Sequence, residues 1–149
     1  MNKSEYPICR VNDSENTQNV KDINWILDNC NSIAVVGLSP KSERPSNQVS
    51  MFLKEKGYKI IPVRPAVDEI LGEKAYPDLE NIPDRVDLVL IFRRSECVPA
   101  IVEKAIKIKA RAVWMQEGII NEKASRQAMK EGLKVVMDSC MSKEVYRRK

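Results

Sequence analysis

The sequence predicts an α/β fold in which a five-stranded parallel sheet is flanked by helices, and three observations carry that prediction. Short apolar runs without polar alternation, such as Ile33-Ala34-Val35-Val36 and DLVLIF at 87–92, suit strands covered on both faces. Between these runs the apolar residues recur at helical spacing, and strands alternating with helices at this pitch form right-handed crossovers. The stretch SIAVVGLSPKSERPS at 32–46 passes in one step from strand to glycine turn to helix start. Such a junction offers backbone N–H groups and the positive end of a helix dipole, which suits a phosphate anion.

The elements follow in order. Residues 1–16 are polar and aperiodic and read as a mobile or loosely docked arm, leaving 17–149 as a single domain. Val20, Ile23, Trp25, Ile26, Leu27 and Cys30 mark the apolar face of a first helix that closes near Asn29 or Asn31. The first strand is 33–36, and Gly37 ends it. Ser46 is placed to cap a helix bearing Val49, Phe52 and Leu53, with Gly57 as its stop. YKIIPV at 58–63 is the second strand, and Pro62 suggests a ladder already loosening there.

Residues 68–83 are punctuated by Gly72, Pro77 and Pro83, which predicts a short extended piece near Ala75 and Tyr76 and a helical turn over 78–81. The third strand, 87–92, precedes Ser95, a candidate cap for a helix whose first turn tolerates Pro99. AVWM at 112–115 is the fourth strand. Asn121 caps a helix through Glu131 that Gly132 stops, residues 135–137 make the fifth strand, and a short polar helix follows Asp138.

Composition narrows the function. The chain has 149 residues, a net charge of +4 and no stretch that interleaves basic and aromatic residues, so nucleic acid is not an expected partner. The apolar runs are strand-length and no signal-peptide core is present, which predicts a cytoplasmic protein with no membrane partner. Cys9, Cys30, Cys97 and Cys140 are scattered, and histidine is absent. That pattern disfavours a zinc site, a disulfide framework and any Ser-His or Cys-His catalytic pair. Cys97, in a first helical turn, is the thiol whose pKa a dipole could lower.

In open parallel sheets ligands bind beyond the carboxyl ends of the strands. Three of those ends carry cations here: Lys41 and Arg44 after the first strand, Arg64 after the second, and Arg93 and Arg94 after the third. A polyanion would suit that edge, although each arginine alone also reads as solvated surface charge. Gln116, after the fourth strand, could bond a ligand amide or the neighbouring loop. The full G-x-G-x-x-G dinucleotide pattern is missing, because Ser39 stands where the second glycine would be. Gly37 is equally compatible with a bare strand-to-loop turn.

From Ser32 to Glu144 the chain closely resembles the small stand-alone CoA-binding proteins, whose fold is similar to the CoA-binding domain of the succinyl-CoA synthetase alpha subunit. The resemblance rests, in order, on IAVVGLSPKSERPS, GYKIIPVRP, ILGEKAYPDLENIPDRVDLV, IFRRSE, AVWMQEGIINEKA and GLKVVMDSCMSKE. It implies a Rossmann-like three-layer fold that holds CoA by its ADP portion. By position it places Gly37, Leu38 and Ser39 against the phosphates, with Lys41 and Arg44 near the negative charge. Ser46 and Asn47 would open the helix that faces the ligand. Val63, Arg64 and Pro65 would meet the adenosine side, Phe92, Arg93 and Arg94 would line the opposite wall, and Gln116 and Gly118 would lie nearby. The chain departs from the family pattern twice: Arg64 stands where asparagine is usual, and the C-terminal segment Lys143-Glu144-Val145-Tyr146 lacks the family's histidine.

The resemblance implies a CoA- or acyl-CoA-binding protein, non-catalytic or accessory to acyl-CoA metabolism. In the synthetase the phosphate-carrying histidine lies in a further domain, and this sequence has no histidine. Two alternatives stay open. One is an NADP-binding oxidoreductase, with Arg64 receiving a 2′-phosphate; the other is an interaction or regulatory module that kept the fold without the ligand.

Overall fold

A computed structural model describes residues 13–148. Helix α1 (Asp13–Asn29) begins four residues before the expected Thr17, and residues 1–12, most of the expected arm, lie outside the described residues. Strand β1 (Ser32–Val36) leads through the Gly37 turn into α2 (Pro45–Glu55) and β2 (Lys59–Val63). An unanticipated two-stranded antiparallel hairpin follows, β3 (Glu69–Ile70) with β4 (Glu73–Lys74), and the extended piece expected near Ala75 and Tyr76 is present as an isolated bridge of Tyr76 to Val63. A 3-10 turn over Leu79–Asn81 precedes β5 (Leu88–Ile91), and α3 (Val98–Lys107) follows it. Strand β6 (Ala112–Met115), α4 (Glu122–Lys130), β7 (Lys134–Val136) and α5 (Met141–Arg147) complete the chain.

The main sheet is parallel throughout, in the order β2-β1-β5-β6-β7. Successive residues of each strand feed opposite faces, as the pleat requires. Ile33, Val35, Leu88, Leu90 and Trp114 pack with α1, α2 and α5 on one face. Ala34, Val36, Val89, Ile91, Val113 and Met115 pack with α3 and α4 on the other. This two-sided burial explains why the strands read as unbroken apolar runs.

Three local expectations are corrected. Arg44, not Ser46, occupies the N-cap of α2, because Pro45 has its backbone angle already set for the first helical position. Ser95 does not cap α3; a 3-10 turn over Ser95–Cys97 comes first, and the Ser95 hydroxyl accepts from the Ile120 N–H at 3.2 Å. The β2 ladder does not loosen at Pro62, since its pairing with β1 continues through Val63. Proline fits there because β2 is the edge of the main sheet, and the Pro62 carbonyl faces outward to the Tyr76 N–H at 3.0 Å, so no ladder donor is lost. The Asn121 cap stands as expected: its side chain accepts from the Ala124 N–H at 3.0 Å.

The order also locates the reversal. The chain leaves β1 through α2 toward the edge strand β2, but leaves β5 through α3 in the opposite direction. A crevice opens between two such strands at their carboxyl ends, and in sheets of this order it is the usual ligand site.

Candidate functional site

At that crevice β1 and β5 approach each other through Gly37 and Phe92. Gly37 has φ +92, and a Cβ there would sit 2.7 Å from the Phe92 carbonyl oxygen and 3.0 Å from the Arg93 Cδ. Both the backbone angle and the contact therefore demand glycine. The cavity beside it has a volume of about 610 Å³, within the range of small-molecule sites.

Six of the residues anticipated from the sequence line this cavity: Gly37, Val63, Arg64, Pro65, Phe92 and Arg93. Arg64 is fixed at two points. Its N–H donates to the Tyr76 carbonyl at 2.8 Å, and its Nη1 donates to the Leu38 carbonyl at 3.3 Å. The guanidinium of Arg93 lies 3.5 Å from the Cys97 Sγ.

The remaining anticipated residues are not among those lining the cavity. Leu38 is fully buried in the core on the α2 face. Ser39 is held from behind: its N–H donates to the Ser46 hydroxyl at 2.9 Å, and its carbonyl accepts from the Asn47 side chain at 2.8 Å. Ser46 and Asn47 are buried, so these two side chains brace the turn from within the helix start. Lys41 and Arg44 are exposed. The Arg94 side chain is 81% exposed and pairs with Glu96 at 3.6 Å. Buried Gln116 accepts from the Met141 N–H at 3.3 Å. The Gly118 N–H donates to the Asp138 carboxylate at 2.7 Å.

The structure adds a wall that sequence reasoning missed. Tyr76 forms an isolated bridge to Val63 beyond the sheet edge, which carries Pro77, Asp78 and Leu79 to the cavity. Opposite them, Ala100, Ile101 and Lys104 present one face of α3. Lys104 Nζ donates to both Asp78 oxygens at 2.9 and 2.8 Å, and this hydrogen bond raises the lysine pKa above its ordinary value. The i, i+1, i+4 spacing of Ala100, Ile101 and Lys104 was the available signal on α3; nothing near Asp78 in sequence announced its part. With Arg64, Arg93 and Lys104 set against one carboxylate, the cavity has an excess of positive charge. Among the described residues no group of three His, Cys, Asp or Glu is placed to hold a metal ion.

Comparisons with known proteins identify the family and the fold. Residues 31–146 match the profile of a CoA binding domain. The uncharacterized protein YneT of Bacillus subtilis (strain 168) is 42% identical over 120 residues, covering 80% of this chain and 89% of that protein. A hypothetical protein from Pyrococcus horikoshii OT3 superposes with a TM-score of 0.82 at 42% identity, covering 85% of this chain and 89% of the other. The ADP-forming acetate–CoA ligase II of Archaeoglobus fulgidus is 37% identical over 94 residues, which span 61% of this chain but only 14% of that enzyme. The crevice at the reversal of strand order, the extent of the profile match and a relative of nearly equal length lead to one conclusion: this chain belongs to the CoA-binding domain family.

Proposed function

We propose that the protein binds CoA, or an acyl-CoA, in the cavity at the carboxyl ends of β1, β2 and β5, and serves as an accessory to acyl-CoA metabolism rather than as a catalyst. The observation that carries this reading is that Arg64 and Arg93 line one cavity at the Gly37 turn, where β1 and β5 approach too closely for any side chain. Arginines hold phosphate by charge-assisted, often bidentate hydrogen bonds. Pro65, Phe92 and Ile101 supply apolar surface for the adenosine side. The ligase relatives are named for CoA chemistry, and this chain matches only a small part of their length, so what we transfer is the CoA contact and not the ligation. The domain over 17–149 is the binding unit in this reading, the protein is cytoplasmic, and neither nucleic acid nor membrane is a partner.

A second reading, NADP, is favoured by one observation: Arg64 follows the second strand, where a 2′-phosphate would be received. Calorimetric titration with CoA, NAD and NADP separates the two. CoA is expected to bind more tightly than either dinucleotide, and tighter binding of NADP would overturn the proposal. Failure of all three to bind would favour an interaction module that kept the fold without the ligand.

A further inference from the structure

We propose that Asp78 and Lys104 form the subsite for a phosphorylated ribose, Lys104 holding the phosphate and Asp78 accepting a hydrogen bond from the free hydroxyl next to it. The proposal rests on the nucleotide reading above and deepens it.

The two side chains sit on rigid elements. Asp78 lies between the Tyr76 bridge and the 3-10 turn anchored by buried Leu79, and Lys104 lies in α3 between buried Val102 and Ala105. Their heads are nevertheless 35% and 39% exposed where they meet at the cavity wall. An ion pair that open contributes little to stability, so the fold itself gains little from placing it there. Its chemistry is specific in another way. A pyrophosphate offers acceptors alone, which suits the arginines at the Gly37 turn but leaves a carboxylate without a donor. A ribose with one phosphate and one adjacent hydroxyl offers an anion for the ammonium and an O–H for the carboxylate within a single ring. The 3′-phosphate of CoA and the 2′-phosphate of NADP share this chemistry, so for NADP the subsite assigns the phosphate to Lys104 in place of Arg64.

The test is calorimetric titration of the parent, Lys104→Met, Lys104→Arg and Asp78→Asn with CoA, 3′-dephospho-CoA, NADP and NAD. The parent should bind CoA at least about 10-fold more tightly than dephospho-CoA, as expected for a charge-assisted contact. In Lys104→Met the CoA affinity should fall until the two ligands bind alike, while dephospho-CoA stays within about twofold of its parent value. Lys104→Arg should restore the preference. Asp78→Asn should weaken CoA and dephospho-CoA together, because both keep the hydroxyl. A Lys104→Met protein that retains the preference, or that loses both ligands equally while unfolding at the parent's temperature, overturns the subsite. If the parent instead prefers NADP to NAD and binds no CoA, and Lys104→Met abolishes that preference, the subsite stands and the CoA reading falls. If the parent binds none of the four, both fall.

Discussion

The two ends of the sheet use the same kinds of side chain for opposite purposes. At the amino end Asp87 accepts from the Asn31 and Ser32 N–H groups at 2.9 and 3.3 Å and faces Arg85 and Arg111 at 3.5 and 4.0 Å. Arg111 donates to the Asn29 carbonyl at 2.9 Å and lies 4.9 Å from the centre of the Trp25 ring. Asp87 and Arg111 are thereby occupied in joining α1, β1, β5 and β6, while the Arg85 side chain stays largely exposed. At the carboxyl end Arg64 makes one side-chain bond to a carbonyl, Arg93 touches a thiol, and a cavity lies before them. Arg111 also borders a cavity, of about 510 Å³, but its guanidinium is engaged by a carbonyl, a carboxylate and an indole ring, whereas Arg64 and Arg93 have donors left for an anion. Substitutions at the two ends should therefore separate stability from binding.

The largest effect is expected where the two functions meet, at Gly37→Ala. Its Cβ would be forced against the Phe92 carbonyl at a positive φ, at a cost of about 2–5 kcal/mol from backbone strain and overpacking together. Chemical denaturation should show that loss, with CoA binding weakened as β1 and β5 move apart.

Next is Asp87→Asn, which should cost about 1–3 kcal/mol near neutral pH and leave CoA affinity unchanged. Burial pushes the Asp87 pKa up, but the two backbone N–H groups and the neighbouring arginines outweigh it and hold the carboxyl below its ordinary value. A lowered folded pKa means that this stabilisation is present above the unfolded value, about 3.9, and is lost as pH falls through the folded one. The parent's advantage over Asp87→Asn should thus persist at pH 7 and shrink below about pH 4. An advantage independent of pH would show that the charge is not its source.

Arg93→Ala should reverse that pattern. CoA affinity should fall about 10- to 150-fold, the equivalent of a charge-assisted bond, and less so at high salt, with stability retained. Arg94→Ala, whose side chain is exposed beside Glu96, should change CoA affinity by less than about twofold. Equal losses in the two variants would mean that the cavity wall is misassigned.

The contrast between the two ends also marks what could be read from the sequence. The strands were legible because two-sided burial leaves unbroken apolar runs, and the strand order then fixed which turns share an edge. Gly37, Val63, Arg64, Pro65, Phe92 and Arg93 sit at or just beyond strand ends, so their meeting at the cavity followed from topology. Side chains one turn further along could not be placed that way. Ser46, Asn47 and Gln116 are ordinary ligand-binding types, and nothing local distinguishes a serine facing a phosphate from one facing the Ser39 N–H. Asp78 reaches the cavity through a bridge between Val63 and Tyr76 that no periodicity announces. The thiols show the same limit. Burial lifts the Cys30 pKa to about 11, whereas Cys97, near Arg93, is half-buried; Cys9 lies outside the described residues.

The most direct test of the account is a titration of the 15N-labelled protein with CoA, followed by amide chemical shifts. The perturbed amides should cluster at Gly37, Arg64, Phe92, Arg93 and Lys104, while those of Asn31, Ser32, Asp87 and Arg111 at the opposite end stay in place. Perturbations gathered around Trp25 and Arg111, with the Gly37 and Phe92 amides unmoved, would contradict it.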